Sequence, residues 1–141
     1  MIGLDTNVVV RYIMRDDPEQ TALADAVMSG LTAREPGYLS LVVLVELWWV
    51  LGRSYRRSTA ERERLFAELV RTDELKIESH AIVESALGRV AEGADFADAL
   101  ISEVGAQAGC RTCVTFDEMA AKNTGMTGVE DWIARTPELR R

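Results

Sequence analysis

Hydrophobic and polar positions alternate between two periods along this chain. Residues 2–4 form a short apolar run that ends on Asp5, and helical spacing follows, with Val8, Val9, Tyr12 and Ile13 on one side. Asp16-Asp17-Pro18 breaks that pattern and puts Pro18 at the first turn of a second helix, whose apolar positions are Leu23, Ala24, Val27, Met28 and Leu31. After a loop at 35–37, residues 38–40 read as a strand, and Ser40 can cap a helix over 41–52. That helix is apolar on nearly every side, which predicts a buried element with Glu46 as its only charge. Ser58 and Glu61 make a capping box that opens a helix over 59–71, with Leu65, Phe66, Leu69 and Val70 facing inward. Residues 75–78 alternate like a strand. Residues 81–90 read as a helix interrupted by Gly93. Asp95 then caps a helix over 96–108 with Phe96, Leu100, Ile101 and Val104 as its core stripe and Gly109 at its C-cap. A strand over 111–116 runs into Asp117, as the first ran into Asp5. A short helical turn at 118–122, a last strand at 127–129 and a polar tail after Trp132 complete the pattern.

Strands alternating with helices predict an α/β fold: a three-layer sandwich with a parallel sheet, flanked by helices and joined by right-handed crossovers. A length of 141 residues fits one domain over 1–141, and no repeat, low-complexity segment or linker divides it. The longest apolar stretch, 39–51, is too short to span a bilayer and contains Glu46. No basic segment precedes the first apolar run, so no signal peptide is predicted, and a cytoplasmic location and no membrane partner are expected. A net charge of −7 argues against a broad electropositive surface for nucleic acid. It leaves room for a local one: Arg53, Arg56, Arg57, Arg62 and Arg64 fall close together, either as a phosphate-binding rim or as a solvated helix face.

Four acids stand out by context. Asp5 and Asp117 each close an apolar strand, and parallel strands put both at one edge of the sheet. Glu46 is isolated in an apolar helix, where a buried carboxylate must pair, be protonated or meet a cation. Asp98 lies in the first turn of its helix, away from the Phe96/Leu100 stripe, with Asp95 three residues before it. Crowded carboxylates repel and raise each other's pKa. A divalent cation relieves that repulsion, and hard oxygen ligands suit Mg²⁺ or Mn²⁺. Such an ion activates water and neutralises charge on a phosphoryl oxygen. Taken singly, Asp5, Asp95 and Asp117 also fit plain helix caps, Asp98 fits a solvated face, and an arginine could satisfy Glu46.

Cys110 and Cys113 form C-x-x-C on a strand, where such a pair points to opposite faces, so buried or half-buried free thiols are expected. His80 fits a helix start, capping or exposed, and Trp48-Trp49 fits core or an interface.

G-L-D-T-N-V at 3–8, S-L-V-V-L-V-E-L around Glu46, D-F-A-D-A-L at 95–100 and T-F-D-E at 115–118 together resemble a PIN domain. More closely, they resemble the VapC toxins of bacterial VapBC toxin–antitoxin pairs. The resemblance covers essentially the whole chain. It implies a sheet of about five parallel strands and a Mg²⁺- or Mn²⁺-dependent endoribonuclease acting on structured RNA, commonly tRNA or rRNA. It implies Asp5, Glu46, Asp98 and Asp117 as an acidic quartet, with Asp5 and Asp98 as the first metal ligands. Thr6, Asn7 and Thr115 match positions that orient carboxylates or water, and Asp95 assists. It further implies a homodimer and a cognate antitoxin whose C-terminal segment fills the acidic groove. Arg53, Arg56 and Arg57 are the expected RNA contacts. Two other classes stay open: a metal-dependent phosphohydrolase acting on small molecules, although the D-x-D of haloacid-dehalogenase-type enzymes is absent because position 7 is Asn, and a non-catalytic binding module in an autoregulatory complex.

Overall fold

The computed structural model describes residues 1–136 and Glu138; the end of the polar tail expected after Trp132 lies outside the described residues. Among the described residues there are eight helices and five strands, and every strand pairing is parallel, as the alternating pattern predicts. The chain forms two compact units, Met1–His80 and Ala81–Arg141.

The first unit contains β1 (Ile2–Gly3), α1 (Thr6–Met14), α2 (Pro18–Ser29), β2 (Gly37–Leu39), α3 (Leu41–Arg53), α4 (Thr59–Arg71) and β3 (Leu75–Ile77). Its sheet order is β1-β2-β3, with Ile2 opposite Gly37 and Gly37 opposite Leu75. Helix α1 packs against both α2 and α3, as two parallel crossovers running the same way require. Gly37 is needed at the sheet centre because a Cβ there would stand 2.7 Å from Leu4 Cδ1 and 2.9 Å from Leu31 Cδ1. Beneath the helices, Trp48 meets Phe66 edge-on, with ring centroids 5.2 Å apart, and the Arg62 guanidinium lies 4.3 Å from the Trp48 ring.

The capping signals translate directly into bonds. Ser58 and Glu61 exchange both bonds of the capping box, at 3.2 and 2.8 Å. Ser40 Oγ accepts from Val43 N at 3.2 Å, and Asp17 accepts from Gln20 N ahead of Pro18. Glu78, at the end of β3, also accepts from Leu41 N at 2.7 Å, so two side chains satisfy the start of α3.

The second unit holds most of α5 (His80–Ala91), then α6 (Phe96–Gln107), β4 (Val114–Thr115), α7 (Glu118–Thr124), β5 (Thr127–Gly128) and α8 (Val129–Arg135). Strands β4 and β5 form their own parallel pair. The strand expected over 111–116 is thus only two residues long, and among the described residues the five strands are hydrogen-bonded as three and two. Arg89 ties this unit together: its Nε donates to Glu103 at 2.7 Å and its Nη1 to the Thr124 carbonyl at 3.0 Å.

Several burial expectations are corrected. Helix α3 is not buried all round. Leu44, Leu47, Trp48 and Leu51 are buried, whereas Val42, Glu46 and Trp49 share an exposed face at helical spacing. In α6, Phe96 and Leu100 are buried but Ile101 and Val104 are exposed, because Ala97 and Ala99 complete the buried side. In α2, Leu23 and Val27 are exposed, and with Val8 they line a groove of about 220 Å³. Cys110 is exposed rather than buried, while half-buried Cys113 donates weakly to the Ile101 carbonyl. His80 is exposed, and its Nε2 donates to the Val70 carbonyl at 3.0 Å. Among the described residues, no helix is long and apolar enough to cross a membrane.

Candidate metal centre

The candidate acids divide between the two units. In the first, Asp5 follows β1 at the cap position of α1 in extended backbone (φ −78°, ψ 154°). Its main-chain carbonyl accepts from Val8 N and Val9 N, but its carboxylate makes no cap bond. Instead, Asn7 Nδ2 donates to Asp5 Oδ2 at a long 3.4 Å. The plain-cap explanation therefore fails for Asp5: the carboxylate is exposed and makes no bond to the helix end it precedes. Thr6 beside it is only 1% exposed, and among the described residues its Oγ1 has no hydrogen-bond partner. A buried hydroxyl normally finds one.

Glu46 sits one and a half turns into α3, on its exposed face. Burial, the property that singled it out in the sequence, does not apply. An apolar run of residues concealed an amphipathic helix whose outer face is itself partly apolar.

In the second unit, Asp95 precedes α6 and Asp117 follows β4. Both do cap: Asp95 Oδ1 accepts from Ala97 N (2.9 Å) and Asp98 N (3.2 Å), and Asp117 Oδ1 accepts from Met119 N (2.8 Å) and Ala120 N (3.0 Å). Thr115 Oγ1 accepts from Asp117 N at 3.0 Å, which fixes the backbone entering α7. Asp98, in the first turn of α6, is half-buried, and among the described residues its carboxylate has no hydrogen-bond or ion-pair partner within its unit. Burial pushes its pKa up, and the charges of Asp95 and then Asp117 push it further. Among the described residues no basic side chain offsets this. Asp98, Asp95 and Asp117 therefore share one electrostatic environment that is short of positive charge.

Beside them is a cavity of about 370 Å³, lined by Thr115, Phe116 and Asp117 and by three further acids, Glu118, Glu130 and Asp131. Glu130 and Asp131 were missed in the sequence. They stand in the first turn of α8, where acids are unremarkable by pattern, and only the pairing of β5 with β4 brings them to Asp117.

The basic segment is only partly available. Arg62 donates to the Trp48 carbonyl at 3.2 Å and stacks on that ring, so it serves the core. Arg57 approaches Glu61 at 3.7 Å, and Arg53 lies 5.2 Å from the Trp49 ring. Arg56 is exposed in left-handed backbone (φ 52°).

These donors fit a hard divalent cation. This holds for each unit by itself: the donors are carboxylate oxygens, with the orphaned Thr6 hydroxyl next to Asp5 in the first and Asp98 held with a raised pKa in the second. Among the described residues, no group of three or more His, Cys, Asp or Glu side chains is arranged to hold a metal ion. Mg²⁺ does not require such a group, since it keeps several waters and binds through one or two carboxylates.

The profile described as the PIN domain matches residues 2–125, which carries the agreement through α7 and leaves β5 and α8 beyond it. A search of characterised proteins returned no match. PIN domains are typically metal-dependent nucleases, often the toxins of toxin–antitoxin systems. With its parallel α/β fold and a PIN match over most of its length, this chain belongs to the PIN domain family.

Proposed function

We propose that this chain is the toxin of a type II toxin–antitoxin pair, a Mg²⁺- or Mn²⁺-dependent endoribonuclease that hydrolyses phosphodiester bonds in structured RNA such as tRNA or rRNA. The observation that carries the reading is Asp98: half-buried, its charge opposed by Asp95 and Asp117, and relieved by no basic group among the described residues. PIN domains generally use divalent metal ions, and a deficit of positive charge at carboxylates suits such an ion.

The acids assigned as metal ligands are Asp5 and Glu46 in the first unit and Asp98 and Asp117 in the second. A bound divalent ion supplies positive charge at the scissile phosphate and acidifies water. The chain's own residues do the rest. Asn7 restrains the Asp5 carboxylate. Thr115 and the two cap bonds fix Asp117, leaving its Oδ2 for other work. A carboxylate not engaged with the ion orients water in line with the leaving oxygen. Arg53, Arg56 and Arg57 hold flanking phosphates. The same reading assigns two protein partners: a second copy of the chain and an antitoxin whose C-terminal segment fills the acidic groove.

The test is induction of the chain with and without its neighbouring reading frame, followed by mapping of cleaved RNA ends. Growth arrest relieved by the neighbour, with cuts in tRNA or rRNA, is expected. No arrest and no new RNA ends would overturn the toxin assignment. Turnover of phosphate monoesters without RNA cleavage would move the assignment to a phosphohydrolase.

A further inference from the structure

We propose that Trp49 is a stacking platform that positions an unpaired nucleobase of the substrate beside Glu46. The inference rests on the nuclease reading above and adds a residue that positions the substrate strand. Glu46, Trp49 and Arg53 are spaced by three and then four residues, which puts them on one face of α3. That face is exposed: Trp49 retains 47% of its accessible surface, and Glu46 and Arg53 are open beside it. Over about 10 Å of helix the face runs from acid through aromatic ring to base. Arg53 stacks on the indole, with its guanidinium 5.2 Å from the ring centroid. This pairing keeps the ring oriented and sets a positive charge beside it that can attract the backbone of a stacked nucleotide.

The second unit repeats the arrangement independently. Phe116 is 90% exposed, immediately precedes Asp117 and lines the cavity beside it. Among the described residues almost nothing packs over that ring. In both units an accessible aromatic ring accompanies a candidate ligand of the metal. Bases in a duplex stack on one another and offer only their edges, so a protein ring reaches a base face only where the strand is unpaired. The net charge of −7 also limits phosphate attraction to the short segment that starts at Arg53.

The experiment measures binding of a short fluorescent single-stranded RNA, and of the same RNA annealed to its complement, to the full chain in Mg²⁺. It uses an Asp98→Asn background to keep the RNA intact. Trp49→Leu and Trp49→Phe are compared, with thermal melting as the control for folding. Trp49→Leu is expected to weaken single-strand binding roughly tenfold or more, Trp49→Phe to stay within about threefold, and duplex RNA to bind poorly throughout. Equal binding by Trp49→Leu and its parent, or equal binding of duplex and single strand, overturns the proposal. So does a loss of self-association in Trp49→Leu with RNA binding unchanged, which would mean that a second copy covers this face. Trp49-dependent single-strand binding without RNA cleavage by the unsubstituted chain would refute the nuclease reading alone. Cleavage with Trp49-independent binding would refute the stacking alone.

Discussion

Replacing Asp98 with Asn should make the protein more stable and inactive. Asp98 is half-buried and repelled by Asp95 and Asp117, with no compensating charge among the described residues. Both neighbours are exposed, so each repulsion is screened and comparable in size to an exposed ion pair, about 0.2–1 kcal/mol. Together with the burial of the charge, the gain from Asn is about 0.5–2 kcal/mol, which for a chain of this size raises Tm by about 2–6 °C. The sign with pH follows from the raised pKa. The penalty is fully present above the folded-state value and disappears as pH falls below the ordinary carboxylate range. The difference between parent and variant is therefore largest at neutral pH and closes on acidification. Divalent ions should reverse the ranking. Mg²⁺ at about a hundred times its Kd stabilises a binding-competent protein by about 2.7 kcal/mol. A variant lacking the central ligand gains little. Melting both proteins in EDTA and in Mg²⁺, at neutral and acid pH, gives the full comparison. The reasoning is refuted if Asp98→Asn melts below the parent in EDTA, or if Mg²⁺ stabilises both equally.

Other substitutions test the supporting structure. Asp117→Asn keeps an oxygen for both cap bonds and should stay within about 0.5 kcal/mol of the parent, while Asp117→Ala loses about 0.5–2 kcal/mol; both should abolish RNA cleavage. Trp48→Ala removes a ring that is 1% exposed and packed by Phe66 and Arg62, so urea unfolding should show a loss of about 3–5 kcal/mol. Gly37→Ala drives a methyl group into Leu4 and Leu31 and should cost about 1–3 kcal/mol by the same measurement.

Local signals carried most of what could be read from the sequence. Ser40, Ser58 with Glu61, and Pro18 are short-range chemistry: the two serines cap the helices their positions predict, and Pro18 opens α2. Asp98 was legible because its offset from Phe96 and Leu100 is a matter of helical period alone. Burial was less legible. Apolar runs in α2, α3 and α6 are wider than the sides those helices bury, so Leu23, Trp49 and Ile101 are exposed despite their composition. Glu46 was singled out for an environment it does not have. Glu78 was invisible because its role depends on β2 and β3 ending side by side, which no local pattern reports. Asp5 shows the opposite case. The sequence left it open as a helix cap, and only the unused carboxylate distinguishes it from Asp95 and Asp117.

The central claim is that these carboxylates hold a divalent ion needed to cut RNA. Its most direct test is cleavage of total RNA by the purified, antitoxin-free chain, titrated with Mg²⁺ or Mn²⁺ and repeated in EDTA with Asp5→Asn and Asp98→Asn. The account predicts cleavage that saturates with the ion, vanishes in EDTA and is lost in both variants. Cleavage that persists in EDTA, or in either variant, contradicts it.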